Sequence, residues 1–131
     1  MASLAEHRRD LGVPAYQVAD ALGVHPSQLS HWERGTRGLR WPSVLAYAAA
    51  VHRRIVVWRD GVLARGEDLP GALPGLRRAA GLTQKAVADR LHLDQSSVSL
   101  FESRHTHTLA TIEAYVKALG CELRHLPLEA S

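Results

Sequence analysis

The chain has 131 residues, 46% of them hydrophobic, and a mean hydropathy of −0.14, which fits a packed core in one medium domain or two very small ones. No apolar run approaches the ~18 residues that span a bilayer. The opening MASLAEHRRD has no apolar signal core and points away from secretion, and a single Cys121 excludes an intramolecular disulfide and suits a reducing cytoplasm.

Net charge is +3 with a pI near 9.5, but the charge is unevenly spread. Residues 1–66 hold nine Arg against five Asp and Glu, giving +4. Residues 67–131 hold seven Lys and Arg against eight Asp and Glu, giving −1. Any attraction for a polyanion therefore concentrates in the first half.

In chain order, apolar spacing predicts helices over Ser3–Leu11, Pro14–Leu22, Pro26–Arg34 and Pro42–Val51. Pro14, Pro26 and Pro42 suit first-turn positions, where no backbone donor is needed. Arg54–Trp58, the turn Arg59-Asp60-Gly61 and Val62–Arg65 read as a β hairpin. The stretch Gly66–Gly75, with Pro70 and Pro74, reads as a linker. Four more helices follow. Leu73–Ala80 stops at Gly81, a residue suited to a left-handed cap, and Gln84–Leu91 is capped by Thr83. Gln95–Ser103 is capped by Asp94, and Leu109–Leu119 runs from Thr108 to Gly120. Cys121–Leu126 alternates and reads as one further strand.

This order contains a repeat. A displacement of 69 positions matches Leu4–Glu33 with Leu73–Glu102, with identities that include Arg8/Arg77, Gly12/Gly81, Ala19/Ala88, Asp20/Asp89, Ser27/Ser96 and Glu33/Glu102. After a one-residue loop difference the displacement is 68, and Val44/Ile112, Ala46/Ala114, Tyr47/Tyr115, Ala50/Ala118 and Ile55/Leu123 correspond. Conserved glycine, serine and charged positions argue against chance similarity between amphipathic helices. The strands that end the two repeats are expected to pair and to lock the two helical units into a pseudo-twofold arrangement.

The segments QVADALGVHPSQLSHWERG (17–35) and KAVADRLHLDQSSVSLFES (85–103) each join two short helices through a tight link. Ala19 and Ala88 permit a close, steep crossing, sealed by Val18 with Leu29 and by Val87 with Val98. Both segments resemble the Cro/C1-type (XRE) helix-turn-helix family of phage repressors and bacterial regulators. The resemblance covers residues 4–51 and 73–119, and GLTQKAVADRL…SSVSLFE carries it best. It implies a mainly α fold of two tandem lambda-repressor-like bundles, with a small antiparallel β hairpin or sheet at their junction. The units are expected over residues 1–65 and 76–131, with a linker over 66–75.

In that family the third helix enters the major groove of double-stranded DNA. The resemblance places Pro26, Ser27, Gln28 and His31 at base edges in the first repeat, and Gln95, Ser96, Ser97 and Leu100 in the second. Leu100 departs from the family's usual polar residue; it suits either a thymine methyl or a protein neighbour. Arg34, Arg37 and Arg40 occupy a loop that grips phosphates in family members, with Arg104 alone in the second copy. Gln84 matches a phosphate-binding glutamine, with Lys85 beside it, where the first repeat has Ala15. Arg8/Glu33 and Arg77/Glu102 correspond to a structural ion pair. Trp32, Phe101, Tyr47 and Tyr115 are expected in the core, and Trp41 and Trp58 in the core or on a dimer face.

Other chemistry has little support. His105 and His107, with Cys121 and His125 nearest in sequence, fall short of the three or four converging ligands of a tight zinc site. Cys121 reads as a half-buried strand residue. No Gly-rich phosphate loop or catalytic motif is present, so neither an enzyme nor a cofactor is expected. The expected function is sequence-specific DNA binding in transcriptional repression, by an intrachain pseudo-dimer or a homodimer in the cytoplasm at the nucleoid. The rival reading is an antitoxin-type protein that binds a toxin partner and autoregulates its operon, because YVKALGCELRHL resembles the tail of some such regulators.

Overall fold

A computed structural model describes residues 4–35 and 38–128. The first unit comprises α1 (Leu4–Asp10), α2 (Ala15–Leu22), α3 (Pro26–Glu33) and α4 (Trp41–Ala50), followed by β1 (Arg53–Trp58) and β2 (Val62–Arg65). A 3-10 turn at Gly66–Asp68 leads to α5 (Leu73–Ala79), α6 (Gln84–Leu91), α7 (Gln95–Ser103), α8 (Leu109–Ala118) and β3 (Glu122–Pro127). The chain is therefore mainly α, with a small three-stranded antiparallel sheet between two helical units. Residues 73–75 of the expected linker form the first turn of α5.

Several local expectations are refined. Thr83 caps α6 by accepting from Ala86 N at 3.0 Å, and Thr108 forms a capping box with Thr111 on α8. Asp94 occupies the cap position of α7 but makes no side-chain cap bond. Pro14 is the cap residue of α2 and stands outside the first turn, whereas Pro26 and Pro42 lie within theirs. The tight link inside each helix pair needs a left-handed residue. Gly23 (φ 69°) provides it in the first unit and His92 (φ 57°) in the second, where a β-carbon makes that conformation costlier.

One apolar core runs through both units. Val18, Ala19, Leu29 and Val44 of the first join Val87, Ala88, Val98 and Ile112 of the second, all at most 1% exposed. The sheet order is β2-β1-β3. Residues directly opposite share a face, so Ile55, Val57 and Leu123 point into the core. Gly66 closes the first unit: its carbonyl accepts from Trp41 Nε1 at 2.9 Å. A β-carbon there would lie 2.9 Å from both Ile55 O and Leu45 Cδ2. Gly66→Ala is therefore expected to cost about 1–3 kcal/mol, checked by urea unfolding.

The two units meet about a pseudo-twofold axis that the register itself defines. In the β1–β3 ladder, Val56 pairs with Arg124, its own repeat equivalent at a displacement of 68. In the loops before α4 and α8, Arg40 bridges Thr108, which is again its own equivalent. The flanking bonds, Trp41 N to His107 O at 2.8 Å and Leu109 N to Leu39 O at 2.7 Å, exchange places under the same rotation. The local dyad of a directly opposed antiparallel pair is perpendicular to the sheet. The sheet thus closes one end of the axis, α4 and α8 lie on its inner side, and the two loops meet across the axis on that helical side.

Candidate nucleic-acid interface

A rotation conserves height along its axis, so α3 and α7 stand at the same level on either side of the dyad. Each is held there by a largely buried ion pair. In the first unit, Arg8 donates to Glu33 through Nε at 2.8 Å and Nη2 at 3.1 Å, and through Nη1 to Val13 O at 3.0 Å. Tyr47 OH also donates to Glu33. In the second unit, Arg77 donates to Glu102 at 2.7 and 3.3 Å and to Leu82 O at 3.0 Å. Tyr115 OH and Gln84 Nε2, the latter at 3.0 Å, complete the Glu102 shell.

The electrostatics follow. Glu102 is depressed below the ordinary carboxylate range: burial works to raise it, but bonds from Arg77, Tyr115 and Gln84 together outweigh burial. Burial first, and then the bond to a carboxylate, pushes the Tyr47 and Tyr115 hydroxyls well up, so both remain donors. The ion pairs expected from the repeat are thus present as scaffold, fixing the third helix of each unit to its first.

Pro26, Ser27 and Gln28 are exposed at the start of α3, with His31 half-buried one turn on. Sequence reasoning missed His25, which caps this helix: its Nδ1 accepts from Ser27 N at 3.1 Å and lies 2.8 Å from Ser27 Oγ. Gln28 Oε1 accepts from His25 N at 3.4 Å, so its amide N–H groups remain directed away from the cap. The signal was available as a Gln three residues after the cap position. In α7, Gln95, Ser96 and Ser97 are exposed, and Leu100 is 53% exposed.

Arg34 and Arg40 are exposed in the α3–α4 loop, and Arg40 lies at the dyad. Arg37 lies outside the described residues. Arg104 and Lys85 are exposed in the second unit. Gln84 departs from a purely phosphate-facing role, because one of its two amide N–H bonds goes to Glu102 and only the other is left for a phosphate. Phe101 and Tyr115 stack at 5.2 Å, and Trp41 is 2% exposed, so these aromatics are core. Trp58 is half-buried under the Arg124 guanidinium, 4.5 Å from its ring.

The histidine pair divides. His105 is exposed, whereas His107 is buried edge-on against Phe101 at 4.3 Å, 3.2 Å from Arg104 O, and burial lowers its pKa. Cys121 is half-buried, and burial pushes its thiol up. Among the described residues no three His, Cys, Asp or Glu converge on one point, and no helix is long and apolar enough to cross a membrane.

The family described as Helix-turn-helix domain matches residues 2–53, and the family described as Helix-turn-helix matches residues 76–126. No curated protein and no solved structure matches the chain.

Proposed function

From a chain that belongs twice over to the XRE-type helix-turn-helix family, and is on that ground a DNA-binding transcription regulator, we propose a repressor whose two units read one operator as a built-in pseudo-dimer. The observation that supports this reading is the dyad through Val56–Arg124 and Arg40–Thr108, because α3 and α7 on either side of one dyad suit two successive major-groove faces. Base reading falls to Gln28 and His31 in one half-site and to Gln95, Ser96 and Leu100 in the other. The side chains differ, so the two half-sites need not be palindromic. Phosphates fall to Arg34, Arg37 and Arg40 in the first unit and to Lys85, Arg104 and the second Gln84 N–H in the second. The reading is one of binding without catalysis, on the nucleoid in the cytoplasm.

Arg40 has an added consequence. When two major-groove faces about one turn apart meet α3 and α7, the minor groove faces the protein midway between them. An arginine at the dyad then meets the operator centre, and a narrow A·T-rich minor groove attracts it. The second unit has Thr108 there, so this contact is single and oriented.

The test is fluorescence anisotropy with genomic fragments at several salt concentrations. Specific binding roughly 10³-fold or more above background supports the reading, and its absence at physiological salt ends it. Gln28→Ala with His31→Ala, and Gln95→Ala with Ser96→Ala, should each change base preference in a different half-site. Arg40→Ala should weaken binding, flatten the salt slope and erase preference at the centre. If the second pair of substitutions changes nothing, the second unit is a protein-binding copy, which favours the toxin-partner alternative.

A further inference from the structure

The cap of α3 fixes more than the end of the helix. Ser27 N is a backbone donor that cannot reverse its role, and it donates to His25 Nδ1 at 3.1 Å. Nδ1 therefore presents its lone pair, and the ring proton sits on Nε2. Ser27 Oγ lies 2.8 Å from the same Nδ1. Two lone pairs facing each other at that distance repel, so the hydroxyl proton lies between them and Ser27 donates to the ring. What Ser27 Oγ still offers outward is acceptor capacity alone. Gln28 is turned by the same cap: its Oε1 accepts from His25 N at 3.4 Å, which leaves its amide N–H groups outward. Ser27 and Gln28 are both exposed at the start of α3.

We propose that His25 is a specificity-determining residue that acts through Ser27: by engaging the Ser27 hydroxyl proton it makes Ser27 a reader of exocyclic amino groups, which accepts from adenine N6 or cytosine N4 and rejects the keto oxygens of guanine and thymine. An uncommitted serine hydroxyl both donates and accepts, so it discriminates little among base edges. With its proton committed, Ser27 Oγ set against guanine O6 or thymine O4 opposes two acceptors, and each loses a bond it would make to water. His25 is a positioning residue in this account; the base meets Ser27 Oγ.

The second unit lacks this device. Asp94 stands at the equivalent cap position and makes no side-chain cap bond, so nothing at that cap commits the hydroxyl of Ser96, the counterpart of Ser27. The two half-sites are therefore read with different stringency at corresponding positions: amino against keto in the first, tolerant in the second. The inference rests on the proposed entry of α3 into the major groove.

Selection by the full chain from a library of random duplexes, followed by anisotropy on single-base variants of the enriched sequence, tests this. One position of the first half-site should be restricted to adenine or cytosine on one strand, with guanine or thymine there bound roughly tenfold more weakly. Ser27→Ala and His25→Ala should each erase that preference, whereas His25→Asn, whose Oδ1 accepts from both Ser27 groups, should keep it. Loss of the cap alone would instead weaken all sequences alike. In the Ser27→Ala background, His25→Ala should move the preference no further. An enriched site with no amino-restricted position, a preference that survives either alanine, or one lost in His25→Asn overturns the inference and leaves the DNA-binding reading standing. A library that enriches nothing ends both.

Discussion

Replacing Glu102 by Ala is expected to destabilise the fold by about 3–5 kcal/mol, because it strands a cation whose partner is gone. The Arg77 and Glu102 side chains are only 10% and 5% exposed, and Glu102 accepts from Arg77 twice, from Tyr115 and from Gln84. Removing the carboxylate leaves the Arg77 guanidinium with only Leu82 O, the Tyr115 hydroxyl with only Leu73 O at 3.3 Å, and the Gln84 amide without this acceptor, so a buried cation loses its counter-charge and most of its bonds. The equivalent Glu33→Ala should cost less. Arg8 and Glu33 are 11% and 12% exposed, and Ala15 stands where Gln84 would donate. Urea unfolding followed by circular dichroism measures both. Because one core spans the two units, a single shifted transition is expected. A loss below about 1 kcal/mol for Glu102→Ala, the scale of an exposed pair, would refute the account.

The same residue sets an acid dependence. Its folded pKa is depressed relative to the unfolded chain, so its contribution is fully present above the ordinary carboxylate value of about 4.3 and is lost as pH falls through the depressed folded value. Glu102→Gln should therefore be less stable than the native chain near neutrality, and the gap should close below pH of about 4.

The second large effect concerns the operator and not the protein. Inserting about five base pairs, half a helical turn, between the two half-sites should reduce binding to the nonspecific level, a loss of roughly 10³-fold or more. The reason, on the proposed reading, is that α3 and α7 are held together and cannot move apart independently. They are coupled through six ladder pairs between β1 and β3, through the Arg40–Thr108 bridge and through a shared core. Inserting a full turn should recover phosphate contacts in each half separately but not joint binding. Competition anisotropy on duplexes that differ only in spacer length reads this out. Equal affinity for native and half-turn spacers would mean that one unit alone contacts DNA.

Much of this was legible in the sequence because the signals were local. Thr83 and Thr108 cap where a short hydroxyl side chain precedes a helix, and Gly81 and Gly120 stop helices at positive φ. Core membership of Val18, Leu29, Val87 and Val98 followed from helical spacing. Local reasoning failed where residue type did not decide the bond a side chain makes. Asp94 looked like a cap but makes no cap bond, while His25, a weak cap former by type, is fixed by Ser27 and Gln28. Gln84 looked free for phosphate, yet a carboxylate 18 residues away takes one of its donors.

The sequence by itself determined that there are two copies of one helical unit, which positions are core, and that positive charge gathers in the first copy. Those properties are periodic or positional, and a repeat displacement carries them. The pairing of the two repeat-ending strands is also expected from the sequence, and β1 and β3 do pair; the tertiary structure decided the register of that pairing. Val56 opposite Arg124 and Arg40 opposite Thr108 are pairings between residues 68 positions apart, fixed by backbone hydrogen bonds that no side-chain pattern encodes. It also decided where the tandem pair stops being symmetric: β2 pairs with the outer edge of β1, whereas among the described strands none pairs with the outer edge of β3, where Arg53 donates to His125 O.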